Sequence, residues 1–253
     1  MCYGDDALPP PPPMGGAIGD HGELFLLSAD GTEFITYYAY PGVRRARSAV
    51  VVMPDARGLH RFYQELAERF ASVGLLSIAI DYYGRTTEKG SSRDEGFPYR
   101  QHLDQLLPEH VTMEVAAAVG WLRSDPDHDV ESVFTVGFCR GGSYSWRQSA
   151  APDGLTGCIG FYGNPGLASD VIPRMRAPLL LLAAGQDRIP VSDLEQFADQ
   201  VRAAGPEAEL YVYPNAPHSF FDRQSGQFQQ ECDDAWRRML GFIDRHSVER
   251  IGI

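Results

Sequence analysis

"TVGFCRGGSYSW", residues 135–146, sets an apolar run against a polar segment of helical character, with one cysteine at the join and glycines on both sides. "SVFTVGF", the run that ends just before Cys139, is rich in β-branched and aromatic residues, as expected of a short strand buried on both faces. "RGGSYSWRQSAA" reads as a helix that starts at once. Taken alone, Cys139 is open to four readings: a small buried hydrophobe, half of a disulfide, a metal ligand or a nucleophile.

The same strand-to-helix grammar extends in both directions. Upstream, "SAVVVMP" and "LLSIAI" read as buried strands. Between them "RFYQELAERFASVG" places Phe62, Leu66, Ala67 and Phe70 on one helical face and ends at Gly74. "PEHVTMEVAAAVGWLRSD" is a further helix. Downstream, "LTGCIGFYG", "APLLLLAAG" and "AELYVYP" read as strands, and "VSDLEQFADQVRAAG" and "QQECDDAWRRMLGFIDRHS" as helices. Alternation of this kind implies a parallel sheet covered by helices on both faces. "ELFLLSADGTEFITYYAYPG" precedes it as a hairpin with Asp30-Gly31 at the turn. The expected class is α/β, a mostly parallel central sheet flanked by helices and entered by an antiparallel N-terminal hairpin.

Residues 1–20, with the run "PPPPP" at 9–13, read as a flexible proline-rich leader, and residues 21–253 as one domain. One long gap interrupts the alternation at residues 82–108, and a gap of that length in a compact domain reads as pocket wall or lid. The 253 residues are 43 % hydrophobic, enough for a large core. A net charge of −12 argues against a nucleic-acid partner, which needs a basic footprint. Cys2, Cys139, Cys158 and Cys232 form no C-x-x-C pair, and His21, His60, His102, His110, His128 and His246 show no metal-ligand spacing, so no metal is expected. "GGAIGDHG" has no strand before it and no helix after it, which excludes a dinucleotide loop. No apolar stretch spans a bilayer and no secretory signal stands at the N-terminus. The expectation is a cytoplasmic protein with no membrane partner.

In open parallel sheets ligands bind outside the carboxyl ends of the strands. Cys139 follows one predicted strand, Asp187 the strand "LLLLAAGQ", and His218 the strand in "LYVYPNAP". Nucleophile, acid, histidine is the chain order of the α/β-hydrolase triad, and "GFCRGG" has the spacing of its nucleophile elbow with sulfur in place of oxygen. Glycines at 137 and 141 remove β-carbons that would collide in so sharp a turn. The helix that follows would aim its N-terminal amides at the sulfur. Each residue has a blander reading: inert packing for Cys139, a cap ahead of "VSDLEQF" for Asp187, a loop histidine for His218. Their joint order, each at the end of a strand, favours the chemical one. Cys158 within a strand, Cys232 on a helix and Cys2 in the leader keep the bland reading.

On "GFCRGG", "AAGQDRIP", "YPNAPHSFFDR", "MPDARGLH" and "AIDYYGR" the chain resembles the dienelactone hydrolase family of α/β-hydrolases, over roughly residues 22–247. The resemblance implies an α/β-hydrolase fold, a Cys139-His218-Asp187 triad, no cofactor, and hydrolysis of a small ester or lactone, often one bearing a carboxylate. It implies an oxyanion hole from the backbone amides of Arg140 and Ala56. It puts Asp55 where the family has a glutamate that switches the cysteine on, one methylene shorter here. Arg85 matches a family arginine that holds the substrate carboxylate, and Arg223 stands one residue from a second. Tyr83, Tyr162 and Trp146 are candidates for the pocket wall, as is Tyr82. The expected partner is a small-molecule substrate, and the expected state a monomer or weak homodimer. A broad-specificity esterase or acyl-transfer enzyme on the same scaffold is the alternative.

Overall fold

β-branched and aliphatic runs of five to ten residues pair into a single eight-stranded sheet of order β1-β2-β4-β3-β5-β6-β7-β8 in the computed structural model, which describes residues 4–42 and 45–250. β1 (Ile18–Leu27) and β2 (Glu33–Pro41) form the antiparallel hairpin, and β2 lies antiparallel to β4 (Leu76–Ile80). Its turn is held by Asp30, whose Oδ1 accepts from Ser28 Oγ at 2.6 Å and Thr32 N at 3.1 Å, with Gly31 at φ 82°. The remaining pairs are parallel: β3 (Ser48–Met53), β4, β5 (Ser132–Phe138), β6 (Gly157–Phe161), β7 (Leu179–Gln186) and β8 (Ala208–Pro217).

Helices cover both faces, and strand alternation sorts the side chains between them. Val50 and Val52 join Phe62, Leu66 and Phe70 of α1 (Arg61–Ser72) and Trp236, Met239 and Ile243 of α6 (Gln229–His246) in one core. Ala49, Val51 and Met53 face Val111, Val115 and Leu122 of α3 (Pro108–Ser124), with Tyr144 and Trp146 of α4 (Arg140–Gln148) and Phe197 of α5 (Val191–Ala204) in the same layer. Parallel crossovers bring each strand back in the same direction, so the carboxyl ends of β3 to β8 share one edge. β4 lies on one side of β3 and β5 on the other, which opens a crevice between the ends of β3 and β5.

Residues 82–108 contain one short helix, α2 (Tyr99–Leu103), and fold as a wall rather than a free loop. The buried Arg93 guanidinium forks onto Asp81 with Nε–Oδ1 at 3.0 Å and Nη2–Oδ2 at 2.8 Å, and lies 4.5 Å from the Phe97 ring centroid. Asp81 also accepts from the amides of Leu59 and Tyr83, so this buried charge is paired and saturated. His102 stacks on Phe97 at 4.9 Å.

The described part of the leader packs on the body. Pro9 and Pro10 are buried, Trp236 Nε1 donates to Pro10 O at 3.0 Å, and Gly16 N donates to Ser72 O at 2.6 Å. Asp5 pairs with Arg57 at 3.2 Å. Cys2 lies outside the described residues. Among the described residues no helix is long and apolar enough to cross a membrane.

Candidate active site

β5 delivers Cys139 to the crevice through a turn that only glycine neighbours permit. A Cβ at Gly137 would lie 2.0 Å from Gly141 O, and one at Gly141 would lie 2.2 Å from both Met53 O and Pro54 O. The first turn of α4 therefore packs directly on the backbone of β3 and β5. The chain can then reverse only at Cys139, whose φ of 54° and ψ of −113° lie outside the regions ordinary residues favour. Its amide donates to Phe161 O at 3.1 Å, tying the elbow to β6, and its side chain is half-buried. Cys158 and Cys232 are buried, and burial pushes both thiols up to about 12, so neither is a ready nucleophile near neutral pH.

Three non-glycine residues have positive φ among the described residues: Cys139 at 54°, Tyr162 at 35° and Ser219 at 63°. All three stand at strand ends on one side of the sheet. Strain of this kind, about 1–3 kcal/mol per residue, persists where surrounding structure over-determines it. Tyr162 follows β6, Ser219 adjoins His218, and the Tyr162 and His218 rings lie 4.9 Å apart. Phe138, one residue before the cysteine, stacks on Phe161 at 4.7 Å.

Gln186 of β7 pairs with Pro217 of β8, so the next residues on each strand, Asp187 and His218, leave the sheet side by side. His218 Nδ1 lies 2.6 Å from Asp187 Oδ2. Asp187 is nearly buried, with 6 % of its side chain exposed, while His218 retains 34 %. An acid so placed fixes the proton on Nδ1 and turns Nε2 outward as the basic nitrogen.

The loop after β3 carries Asp55 and Ala56. Gly58 N donates to Asp55 O at 3.2 Å, Arg57 N to Asp55 Oδ1 at 2.9 Å, and Tyr83 Oη to Ala56 O at 2.5 Å. Tyr82 Oη braces the same loop from Pro54 O at 2.8 Å. The two tyrosines are thus 1 % exposed props beneath the loop. Arg140 opens α4, where backbone amides have no acceptor within the helix.

Other predicted residues stand elsewhere. Trp146 is 1 % exposed, donates to Leu180 O at 3.2 Å and packs on Phe197, so it belongs to the core. Arg85 turns to the hairpin and α3: it pairs with Asp30 and lies 3.5 Å from Glu114 Oε1. Arg223 is exposed. The groove that Arg85 lines, about 400 Å³, contains none of Cys139, Asp187 and His218, and the same holds for a larger one of about 520 Å³ between β2 and α1. Glu207, Glu209 and His246 gather at the far end of β8 from His218, a trio that wide sequence spacing concealed.

Reasoning from sequence also missed Asp222. It sits one helical turn after His218, in a turn closed by Arg223 N to Ser219 O at 2.9 Å. It is 2 % exposed, and Asp55 is equally buried. Burial first, then the Asp55 charge, pushes the Asp222 carboxyl up to about 7.

Comparison with known proteins identifies the family and the fold. A Yersinia pestis protein provisionally named a carboxymethylenebutenolidase is 27 % identical over 247 residues, covering 93 % of this chain and 92 % of that one. A Salmonella typhi protein with the same provisional name is 28 % identical over 236 residues, covering 88 % and 87 %. The crystal structure of a Klebsiella pneumoniae protein provisionally described as a dienelactone hydrolase superposes with a TM-score of 0.76 at 26 % identity, covering 90 % of this chain and 99 % of that one. Residues 34–247 match the model of the dienelactone hydrolase family, and the chain belongs to that family of carboxylic ester hydrolases with the α/β-hydrolase fold.

Proposed function

We propose that this protein hydrolyses a small ester or lactone through a thioester formed on Cys139. The observation that carries the reading is the 2.6 Å contact of His218 Nδ1 with Asp187 Oδ2, at the same sheet edge as a strained cysteine in a family of ester hydrolases. His218 Nε2 takes the thiol proton as Sγ adds to the substrate carbonyl carbon. The carbonyl oxygen becomes an oxyanion, held by the amides of Arg140 and Ala56; two such donors lower the barrier by on the order of several kcal/mol. Collapse expels the alkoxide, which takes its proton from His218. In a lactone that alkoxide stays tethered to the acyl group. His218 then removes a proton from water, the hydroxide attacks the thioester, and Sγ leaves as the thiolate and is reprotonated. Asp187 holds the imidazole tautomer and its cation throughout. Asp55, one residue before the Ala56 amide, is the candidate for coupling this loop to the thiol.

A broad esterase reading draws on the ion pair of Arg85 with Asp30, which leaves a substrate carboxylate to compete with an acid for that side chain. The decisive experiment assays Cys139→Ala on p-nitrophenyl acetate and on a dienelactone. Turnover should fall to background on both, and intact-mass spectrometry of wild type should catch an acetyl group on Cys139. Undiminished turnover of both substrates by the variant overturns the assignment.

A further inference from the structure

The loop from β3 to α1 carries the Ala56 amide, and the body of the protein braces it from one side. Tyr82 Oη donates to Pro54 O at 2.8 Å, Tyr83 Oη to Ala56 O at 2.5 Å, and Leu59 N to Asp81 Oδ1 at 2.9 Å. The leader reaches the same loop through Asp5. Its Oδ1 lies 3.2 Å from Arg57 Nη1 and 3.3 Å from His60 Nε2, and its Oδ2 accepts from Glu95 N at 3.0 Å. Arg57 follows Ala56 directly, and its side chain is only 2 % exposed. An opposite charge holds so dry a guanidinium more firmly than one in water. His60 Nδ1 accepts from Phe62 N at 3.1 Å where α1 begins, which leaves the ring proton on Nε2, facing Asp5. Glu95 belongs to the 82–108 wall. One carboxylate thus joins the leader, the loop after β3 and the wall.

The leader is itself anchored well enough to act as a brace. Ala7 N donates to Gly4 O at 3.1 Å, closing the turn that presents Asp5. Beyond that turn, Pro9 and Pro10 are buried, and Trp236 Nε1 of α6 holds Pro10 O at 3.0 Å. We propose that Asp5 is a positioning residue for the hydrolysis: acting through Arg57 and His60, it fixes the loop so that the Ala56 amide meets the developing oxyanion. The inference rests on the hydrolase reading. An amide that drifts gives less help to the transition state and leaves ground-state binding as it was.

The test uses the full chain and two variants that each remove one negative charge from the leader. On p-nitrophenyl acetate Asp5→Asn should lower kcat by about tenfold with KM within about twofold of wild type. Asp6→Asn, at the exposed neighbouring acid, should match wild type in both. Hydrogen exchange reads the loop without any turnover. The amides of Arg57 and Leu59, bonded to Asp55 Oδ1 and Asp81 Oδ1, should exchange about tenfold faster in Asp5→Asn, while those of β5 keep their rates. A kcat within about twofold of wild type in Asp5→Asn overturns the proposal, as does a loss that falls on KM alone or that Asp6→Asn shares. Unchanged exchange in the loop overturns it as well. Faster loop exchange in a protein that turns over no ester would instead refute the hydrolase reading and leave Asp5 as the tether of the loop.

Discussion

Strain and charge meet at single residues here. Cys139, Tyr162 and Ser219 each hold a backbone angle that costs stability, and each is fixed by a neighbour: Phe161 O for Cys139, the His218 ring for Tyr162, the turn to Arg223 for Ser219. Such positions make a site rigid before substrate arrives, so the small group that orients His218 should matter out of proportion to its size. Asp187→Asn keeps the shape of the side chain but can present an amide N–H to Nδ1, favouring the tautomer with its proton on Nε2. Turnover of p-nitrophenyl acetate should then fall by about 10³–10⁴-fold with little change in KM. Circular dichroism and the denaturation midpoint should stay close to wild type. A variant retaining more than a tenth of wild-type turnover would remove Asp187 from the mechanism.

The elements were legible wherever a local period or a local punctuation mark exists. The eight strands and five longer helices stand where apolar runs, the α1 stripe of Phe62, Leu66 and Phe70, and turn glycines put them. Cys139, Asp187 and His218 were legible because each follows a strand that announces itself. Arg93 onto Asp81, Asp222 beside Asp55 and the buried lie of Trp146 were not, since they depend on which loops the sheet order brings together. The glycines of the elbow show the difference in kind. Their need for small size is local, but the atoms that demand it at Gly141 are Met53 O and Pro54 O, at the end of a strand far away in sequence. Gly141→Ala should therefore act on two elements at once, pushing α4 off β3 and moving the Arg140 and Ala56 amides apart. Overpacking of this kind costs about 1–3 kcal/mol, and a displacement near 1 Å at a reacting centre costs about 10²-fold in rate. Urea melts and kcat of the same preparation would read both. A variant with wild-type stability and rate would show that the contact relaxes freely.

Across the whole molecule, the hydrophobic layer that holds the sheet also stores a proton. Glu114 projects from α3 into that layer with its side chain fully buried, and neither carboxyl oxygen has a hydrogen-bond partner among the described residues. Burial pushes it up to about 9, against the opposing pull of Arg85. The folded chain thus holds a proton at Glu114 that the unfolded chain releases near 4.5. Between those values the folded state binds the extra proton at this group, so the contribution of Glu114 to stability is fullest below pH 4.5 and is lost as pH rises toward 9. The net charge of −12 adds self-repulsion over the same range. Glu114→Gln separates the two contributions, because glutamine keeps the shape and has no proton to lose. From pH 5 to 9 wild type should lose on the order of a few kcal/mol more than the variant, and near pH 8.5 the variant should be the more stable protein. Urea denaturation across that range, followed by tryptophan fluorescence, decides it: parallel pH profiles for the two proteins would mean that Glu114 is ionised and solvated within the fold.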